Sequence, residues 1–549
     1  MKLRHLWIGV CLVLSSSPTL GVDAPEGQTE VEPVELQSMQ ILDLAVGLDT
    51  DRWTADQVAR VALDRVESID RAGPTLRSLI HVNDEAPAQA AKLAATRNRG
   101  PLFGVPMVVG DRCNTRDQPT SGGLAALRGY QSADDAFVVE RLRAAGATFI
   151  GKANTDGPFR SFGRSGYSSA GGATRNPYRR SRSGIGVGAA VAAGLALAAV
   201  GTDTAGALRA AAAGSALVGI RPTLGLTSRT GTVPLARSLD VPGVLARSVR
   251  DAALVLGVVA GSDDADWFSR DSEPHQIGDY TLFLDAAALE GARLGVARDY
   301  RGGNGEVEAA FERALKTLRA GGAELMDLNV PDALLEANDG LIRPIAETEL
   351  GDQLSAYLAP AGEGIPDTLA ELAKVSRSPL IMGSPTPEDP LRLRFWEQAM
   401  GSAGLADLRY LYLISNRLPA ARRMIGDLLK ENALDAIVFP TLLCPSAPLL
   451  DAADAGGRCN VGDPRLPAYL ASVTGFPELT LPMGYTSQGL PVGLSFLGRP
   501  YGEPAIIGIG YAFEQATGYW RAPELSSWLD DQISDSDTDP ASGRGEEGL

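Results

Sequence analysis

The feature that most constrains this chain is a stretch of small residues between Gly171 and Gly225. Within it, residues 189–200 read AAVAAGLALAAV, a run of good helix formers that we predict to be a helix. A helix of such small side chains is expected to be buried on all sides. Gly-rich loops flank it at residues 183–188 and 201–207. The arrangement predicts either tight helix packing alone or a cavity lined by backbone N–H groups, which can stabilise an oxyanion.

Composition restricts the class of protein and its partners. The chain has 549 residues, of which 44% are hydrophobic and 21% are charged, as expected of a soluble protein with a large core. The formal net charge of −17 argues against nucleic acid and anionic membranes as partners. Part of this charge lies in residues 523–549, which we predict to be a disordered acidic tail.

The N-terminus has the pattern of an export signal. Lys2 and Arg4 precede an apolar run at residues 6–14, and small residues follow. We therefore predict a signal peptide at 1–24, an acidic disordered leader at 25–37 and a periplasmic or secreted protein. The apolar run is too short for a stable membrane span in the mature chain, although an uncleaved anchor is the alternative.

Cysteine usage leaves one pairing open. Removal of the signal peptide leaves Cys113, Cys444 and Cys459. In an oxidising compartment the last two could pair across a loop that contains Gly and Pro, but the sequence does not decide this. No Cys/His spacing indicates zinc, so no metal site is predicted.

Short apolar runs alternate with helical patterns along most of the chain, which predicts an α/β layer fold. Residues 54–71 and 249–260 show helical periodicity, with Thr54 and Ser248 placed to cap them. Residues 105–109 form a buried strand in this interpretation. Residues 331–430 are predicted to be mainly helical, with proline breaks, and to be a substrate-facing insertion.

A series of short motifs resembles the amidase signature family. The matching stretches, in chain order, are Phe103–Pro106, Gly146–Asn154, Asn176–Tyr178, Gly201–Arg209, Gly219–Thr223, Phe439–Thr441, Thr474–Pro477 and Gly489–Gly493. Their order and spacing match over roughly residues 38–522. The resemblance implies a single domain with one large mixed β-sheet between layers of α-helices. It also implies hydrolysis of amide bonds without a metal or other cofactor.

The chemistry of this family uses a serine nucleophile, a second serine that passes the proton, and a lysine base. A serine hydroxyl attacks poorly unless a base removes its proton, and a buried lysine can act as that base when its pKa is lowered. Carried over residue by residue, the lysine position is Gly110, the bridging serine is Ser183 and the nucleophile position is Ala207. Two of the three catalytic side chains are therefore absent. Lys152 matches a different lysine of the family.

The resemblance therefore predicts a degenerate, non-hydrolytic member of the family, a pseudoenzyme. The backbone of Thr204, Ala205, Gly206 and Ala207 remains able to form a nest of donors that binds an amide- or carboxylate-containing small molecule or peptide. The sequence leaves open whether the chain also binds a protein partner. The alternative is an active amidohydrolase that uses another residue, for which Ser183 is the best candidate among nearby hydroxyls.

Two further enzyme classes fit the sequence poorly. Only His81 and His275 remain in the mature chain, and no Gly-x-Ser-x-Gly elbow is present, which argues against a histidine-based hydrolase. Residues 184–189 resemble a dinucleotide fingerprint, but the arginine-rich segment before them does not fit the apolar strand that this fingerprint requires.

Overall fold

The computed structural model describes residues 33–96, 99–155, 166–449, 459–525 and 528. From Val34 onward these residues belong to one compact unit. The predicted signal peptide, residues 25–32 of the predicted leader and almost all of the predicted acidic tail lie outside the described residues. A search of the described helices for one long and apolar enough to cross a bilayer finds none.

The strands of the described chain are short and mostly buried. They are β1 (Leu79–Val82), β2 (Pro106–Gly110), β3 (Thr148–Ala153), β4 (Tyr167–Ser168), β5 (Gly172–Ala173), β6 (Arg175–Asn176), β7 (Arg179–Ser183), β8 (Ala198–Asp203), β9 (Val218–Arg221), β10 (Val241–Ala246), β11 (Arg293–Ala297), β12 (Glu324–Leu328), β13 (Ala436–Pro440), β14 (Glu478–Tyr485) and β15 (Pro491–Leu497).

The helices precede, separate and follow these strands along the chain. They are α1 (Ile41–Asp49), α2 (Ala55–Arg65), α3 (Ala86–Ala94), α4 (Phe137–Ala144), α5 (Gly186–Ala192), α6 (Ala207–Gly214), α7 (Val249–Val259), α8 (Gly305–Ala320), α9 (Asp332–Leu335), α10 (Arg343–Leu358), α11 (Leu369–Ser376), α12 (Pro379–Met382), α13 (Pro390–Met400), α14 (Leu408–Tyr412), α15 (Leu418–Glu431), α16 (Tyr469–Thr474) and α17 (Glu503–Thr517).

Eleven of the described strands form one mixed sheet in the order β1-β3-β2-β8-β10-β9-β14-β15-β13-β11-β12. Strand β2 pairs in parallel with both β3 and β8, whereas the strands from β8 through β10, β9, β14 and β15 to β13 pair antiparallel. Helices pack against this sheet, including α5 and α6 beside β8. The predicted mixed α/β sheet is confirmed.

The predicted capping signals are confirmed where two helices begin. The Thr54 hydroxyl accepts from the N–H of Gln57, whose side chain accepts from the N–H of Thr54, and helix α2 follows. Ser248 likewise accepts from the N–H of Asp251 at the start of α7. Residues 331–430 are mainly helical, as predicted. They contain helices α9 to α14 and all of α15 except its last residue, Glu431.

The helix predicted over residues 189–200 is wrong in its second half. Helix α5 ends at Ala192, and β8 begins at Ala198. Gly194 turns the chain with φ +71°, and Arg65 donates to the carbonyl oxygens of Ala193 and Gly194. The following residues pair with β2 on one side and β10 on the other, so sheet contacts outweigh helix propensity there. The two flanking loops are correspondingly shorter than predicted.

The structure decides the open cysteine question, because Cys444 and Cys459 form a disulfide. The chain just after Cys444 lies along β7: the N–H of Ser183 donates to the carbonyl of Ala447, and the N–H of Leu449 donates to that of Ser181. We call residues 444–449 the strap. The disulfide thus anchors one end of a segment that holds β7 in place.

Candidate active site

The two positions at which the resemblance places lysine and serine lie in the same cavity. Gly110 is the last residue of β2, and Ala207 is the first residue of α6. Both line a cavity of about 30 Å³. Its apolar walls are Ile185, Val187 and Leu208. The structure therefore brings Gly110 and Ala207 together, and neither contributes a functional group.

Sheet topology explains why these positions meet. Strands β2 and β8 are parallel neighbours, with Val109 opposite Val200. The carboxyl ends of parallel strands lie at the same edge of a sheet, where ligand sites of α/β proteins form. Strand β8 ends at Asp203, and the chain turns there into α6. The start of α6 is thus placed beside the end of β2.

The turn into α6 orients its first N–H groups. Gly206 has φ +82°, and a Cβ there would lie 2.5 Å from Cβ of Ala468. The carboxylate of Asp203 accepts from the N–H groups of Gly206 (3.1 Å) and Arg209 (3.3 Å). The N–H groups of Ala207 and Leu208 have no acceptor among the described residues, and both residues line the cavity. Among the residues of the predicted donor nest, Gly206 therefore already donates its N–H to Asp203 within the protein.

A fully buried ionic network holds this turn. Arg209 and Arg221 each place a guanidinium nitrogen 2.9 Å from Oδ1 of Asp203, and Arg209 also pairs with Glu478 of β14. Burial alone would raise the pKa of Asp203, but the two guanidinium groups hold it well below its ordinary value. Sequence reasoning missed this network, although the six-residue spacing of Asp203 and Arg209 across a helix start is a usable signal.

Arg112 is a second residue that sequence reasoning did not single out. It lines the cavity and is 6% exposed. Its Nε and Nη2 donate to the carbonyl of Val233 at 3.1 and 2.7 Å, and Nη2 lies 3.5 Å from Asp240. Nη1 reaches the Thr204 hydroxyl at 3.4 Å, and that hydroxyl also donates to Asp240. An arginine two residues after a buried strand was the available signal.

Lys152 faces away from the cavity. In the register of β2 and β3, Lys152 is opposite Val109, whereas Ala153 is opposite Gly110. Since neighbouring residues of a strand point to opposite faces, Lys152 and Gly110 lie on different sides of the sheet. The Lys152 ammonium donates to the Thr120 hydroxyl at 2.6 Å and lies 3.5 Å from Asp111. Burial lowers the pKa of Lys152, and Asp111 opposes that shift.

Ser183 is not part of the cavity lining. It ends β7, is buried, and donates its N–H to the carbonyl of Ala447 in the strap at 2.8 Å. Its hydroxyl lies beside Gly166, whose added Cβ would be 3.4 Å away. The nearest residue of the cavity lining along the chain is Ile185, two residues later.

The chain matches the family model described as Amidase over residues 58–507. It belongs to the amidase family. Among solved structures, it is similar to the native peptide amidase from Stenotrophomonas maltophilia, with 34% identity and a TM-score of 0.78 over 89% of this chain and 99% of that one. The confirmed fold is thus that of the amidase family.

Curated amidase-family relatives match over nearly their whole length. A glutamyl-tRNA(Gln) amidotransferase subunit of Myxococcus xanthus is 33% identical over 89% of this chain and 99% of its own. A probable amidase of Arabidopsis thaliana is 31% identical over 94% of this chain and 97% of its own. The similarity therefore covers the sheet, the cavity and the helical segment 331–430 together.

Proposed function

We propose that this amidase-family protein is an exported, non-hydrolytic binder of an amide- or carboxylate-containing ligand. The observation that carries the proposal is that Gly110 and Ala207 share the lining of one cavity. In the family's chemistry these positions supply the base and the nucleophile. A glycine and an alanine can do neither, whereas the backbone donors at the start of α6 remain.

The rest of the lining offers no evident replacement. Among the described residues it contains the hydroxyls of Thr155 and Thr202 but no serine, cysteine, lysine, histidine or carboxylate. The guanidinium of Arg112 only donates hydrogen bonds and offers no acceptor for the proton of a hydroxyl. Loss of the nucleophile in well-studied serine hydrolases costs on the order of a millionfold in kcat. We expect a comparable loss here.

The similar proteins support the class of ligand. One is named a peptide amidase, and another is named as part of an amidotransferase. Both names denote chemistry at an amide group. A binder that keeps their fold is expected to recognise an amide or the carboxylate that hydrolysis of an amide leaves.

Export is supported by two independent features. The basic residues Lys2 and Arg4 before an apolar run are typical of a signal peptide. The disulfide between Cys444 and Cys459 is typical of an oxidising compartment. Expression of the full chain followed by fractionation and N-terminal sequencing tests this part; an intact N-terminus on a protein confined to the cytoplasm would contradict it.

The competing function is amide hydrolysis by a rerouted nucleophile, with Ser183 as the candidate. It is favoured only by the closeness of Ser183 to the cavity residue Ile185 along the chain. A fluorophosphonate probe labels activated serines, so labelling followed by peptide mapping separates the two functions. We expect no labelled serine and no turnover of a chromogenic anilide, with the Stenotrophomonas peptide amidase as the positive control. Labelling and turnover that both disappear in Ser183→Ala would establish the competing function.

A further inference from the structure

We propose that the cavity binds a carboxylate in preference to an amide, and that Arg112 determines this choice. The inference rests on the proposed function and narrows its ligand class. It starts from the hydrogen-bonding groups around the cavity that the protein itself leaves without partners.

The first such group is on Arg112. Nε and Nη2 are occupied by the carbonyl of Val233 and by Asp240. Nη1 carries two N–H groups, and the Thr204 hydroxyl at 3.4 Å is the one acceptor it has among the described residues. A buried guanidinium that lines the cavity thus retains a donor without a partner.

The second and third groups come from a different element. The N–H groups of Ala207 and Leu208 precede the first internal hydrogen bond of α6, and no described residue accepts from them. Asp203 has already taken the N–H groups of Gly206 and Arg209. The two remaining N–H groups belong to residues that line the cavity.

All three unpartnered groups are hydrogen-bond donors, so the ligand group that fits them best is one that only accepts hydrogen bonds. An ionised carboxylate only accepts hydrogen bonds, whereas a carboxamide also brings an NH₂ group that needs an acceptor. The hydroxyls of Thr155 and Thr202 can donate or accept and so discriminate neither ligand. A carboxylate satisfies the three donors without leaving a buried donor of its own unpaired.

The position of Arg112 strengthens this preference. Asp240 accepts from the N–H groups of Leu235 and Ala236 and lies 3.5 Å from the guanidinium, so the cation is fixed in place. Hydrogen bonds between a guanidinium and a carboxylate are about twice as strong as neutral ones. Because a guanidinium only donates hydrogen bonds, the group that binds the carboxylate cannot also activate a nucleophile.

A matched pair of probes tests the inference on the full chain. Butyrate and butyramide have nearly the same shape, and their dissociation constants can be compared by ligand-observed NMR. We expect butyrate to bind at least about tenfold more tightly, and we expect Arg112→Gln to remove this preference. Arg319→Gln, which changes an exposed arginine of α8, is the matched control and should bind both probes like the wild type.

Two further variants keep the test decisive. If Arg112→Gln does not fold by circular dichroism, Arg112→Lys retains the charge without the planar fork, and a reduced preference for butyrate is expected. Gly110→Ala adds a methyl group 3.3 Å from Cα of Gly201 and should weaken both probes if they occupy this cavity.

The possible failures are distinguishable. Equal binding of both probes, unchanged in Arg112→Gln but weakened in Gly110→Ala, would overturn the role of Arg112 and leave the proposed binding function intact. Binding of neither probe to the wild type would overturn the carboxylate preference. Hydrolysis of butyramide would instead overturn the proposed function itself.

Discussion

The two sides of the sheet differ at the last residue of β2 and the residue that follows it. Gly110 faces the cavity and carries no side chain, whereas Asp111, the next residue, lies on the other side with Lys152. Both charged groups of that pair are fully buried, and Asp111 also accepts from the N–H groups of Ser121 and Gly123. A buried ion pair occupies one side at this point, whereas Gly110 contributes no functional group to the cavity on the other.

The contrast teaches which charges this protein needs for folding. A buried charge is tolerated only when it is paired and hydrogen-bonded, and removal of one partner leaves the other uncompensated. The Asp111–Lys152 pair and the network around Asp203 meet this requirement. At Gly110 and Ala207 no such group is present, so the fold does not depend on a charge there.

The largest expected effect lies on the ionic face. Lys152→Met removes the cation from a fully buried pair, and we expect the free energy of unfolding to fall by about 3–5 kcal/mol. Chemical denaturation monitored by circular dichroism measures this change. Lys316→Met, at an exposed position of α8, is the control and should stay within about 0.5 kcal/mol of the wild type. A loss below about 1 kcal/mol in Lys152→Met would break the comparison.

The next effect concerns the covalent link that supports the cavity side. Cys459→Ser opens a loop with a sequence separation of 15 residues, and we expect a loss of about 3 kcal/mol in the free energy of unfolding. Because the strap accepts from the N–H of Ser183, hydrogen exchange at Ser183 should also accelerate. Reduced wild-type protein should behave like the variant, and unchanged protection at Ser183 in both would show that β7 is held independently.

A smaller effect is expected from restoring the family's catalytic groups. In Gly110→Lys/Ala207→Ser, the new Cβ at 110 lies 3.3 Å from Cα of Gly201 and 3.5 Å from a methyl group of Val187. We expect overpacking to cost about 1–3 kcal/mol and amide turnover to stay far below that of the peptide amidase. Hydrolysis of a chromogenic anilide checks this, and brisk turnover would show that the walls of the cavity are still adapted to catalysis.

The smallest effect is expected for the position of the missing nucleophile, where a hydroxyl should leave the stability of the fold unchanged. Ala207→Ser alone places a hydroxyl at the first position of α6, beside the cavity. We expect the melting temperature to match that of the wild type, with a change in the free energy of unfolding within about 0.5 kcal/mol. Differential scanning calorimetry measures it. A large destabilisation would mean that alanine at 207 is required for packing.

The architecture could be predicted from the sequence because its motifs follow one another in the same order as in the family. The family resemblance implied the mixed sheet, and the helix caps at Thr54 and Ser248 are local signals that the structure confirms. The division of residues 189–200 into α5 and β8 was missed, because alanine-rich sequence favours helix and only the pairing of β8 with β2 and β10 overrides it.

The sequence pointed to two residues of the cavity but not to the contacts around it. Motif matching placed Gly110 and Ala207, which the structure brings together. The contacts of Arg112, the use of the Gly206 N–H by Asp203 and the location of Ser183 beside the strap depend on distances between remote segments. Such distances are set by tertiary packing, and no local pattern in the sequence specifies them.

The order of strands has a consequence for how the chain assembles during synthesis. The six sheet strands from β1 to β10 pair with one another and are complete by residue 246, long before Glu478 emerges. Strand β9 therefore has an open edge until β14 arrives and joins the two halves of the sheet. Arg209 belongs to the half of the sheet that is synthesised first, and its ion pair with Glu478 forms only when the second half is in place. The final closure of this seam neutralises a cation that would otherwise be buried with an incomplete set of partners.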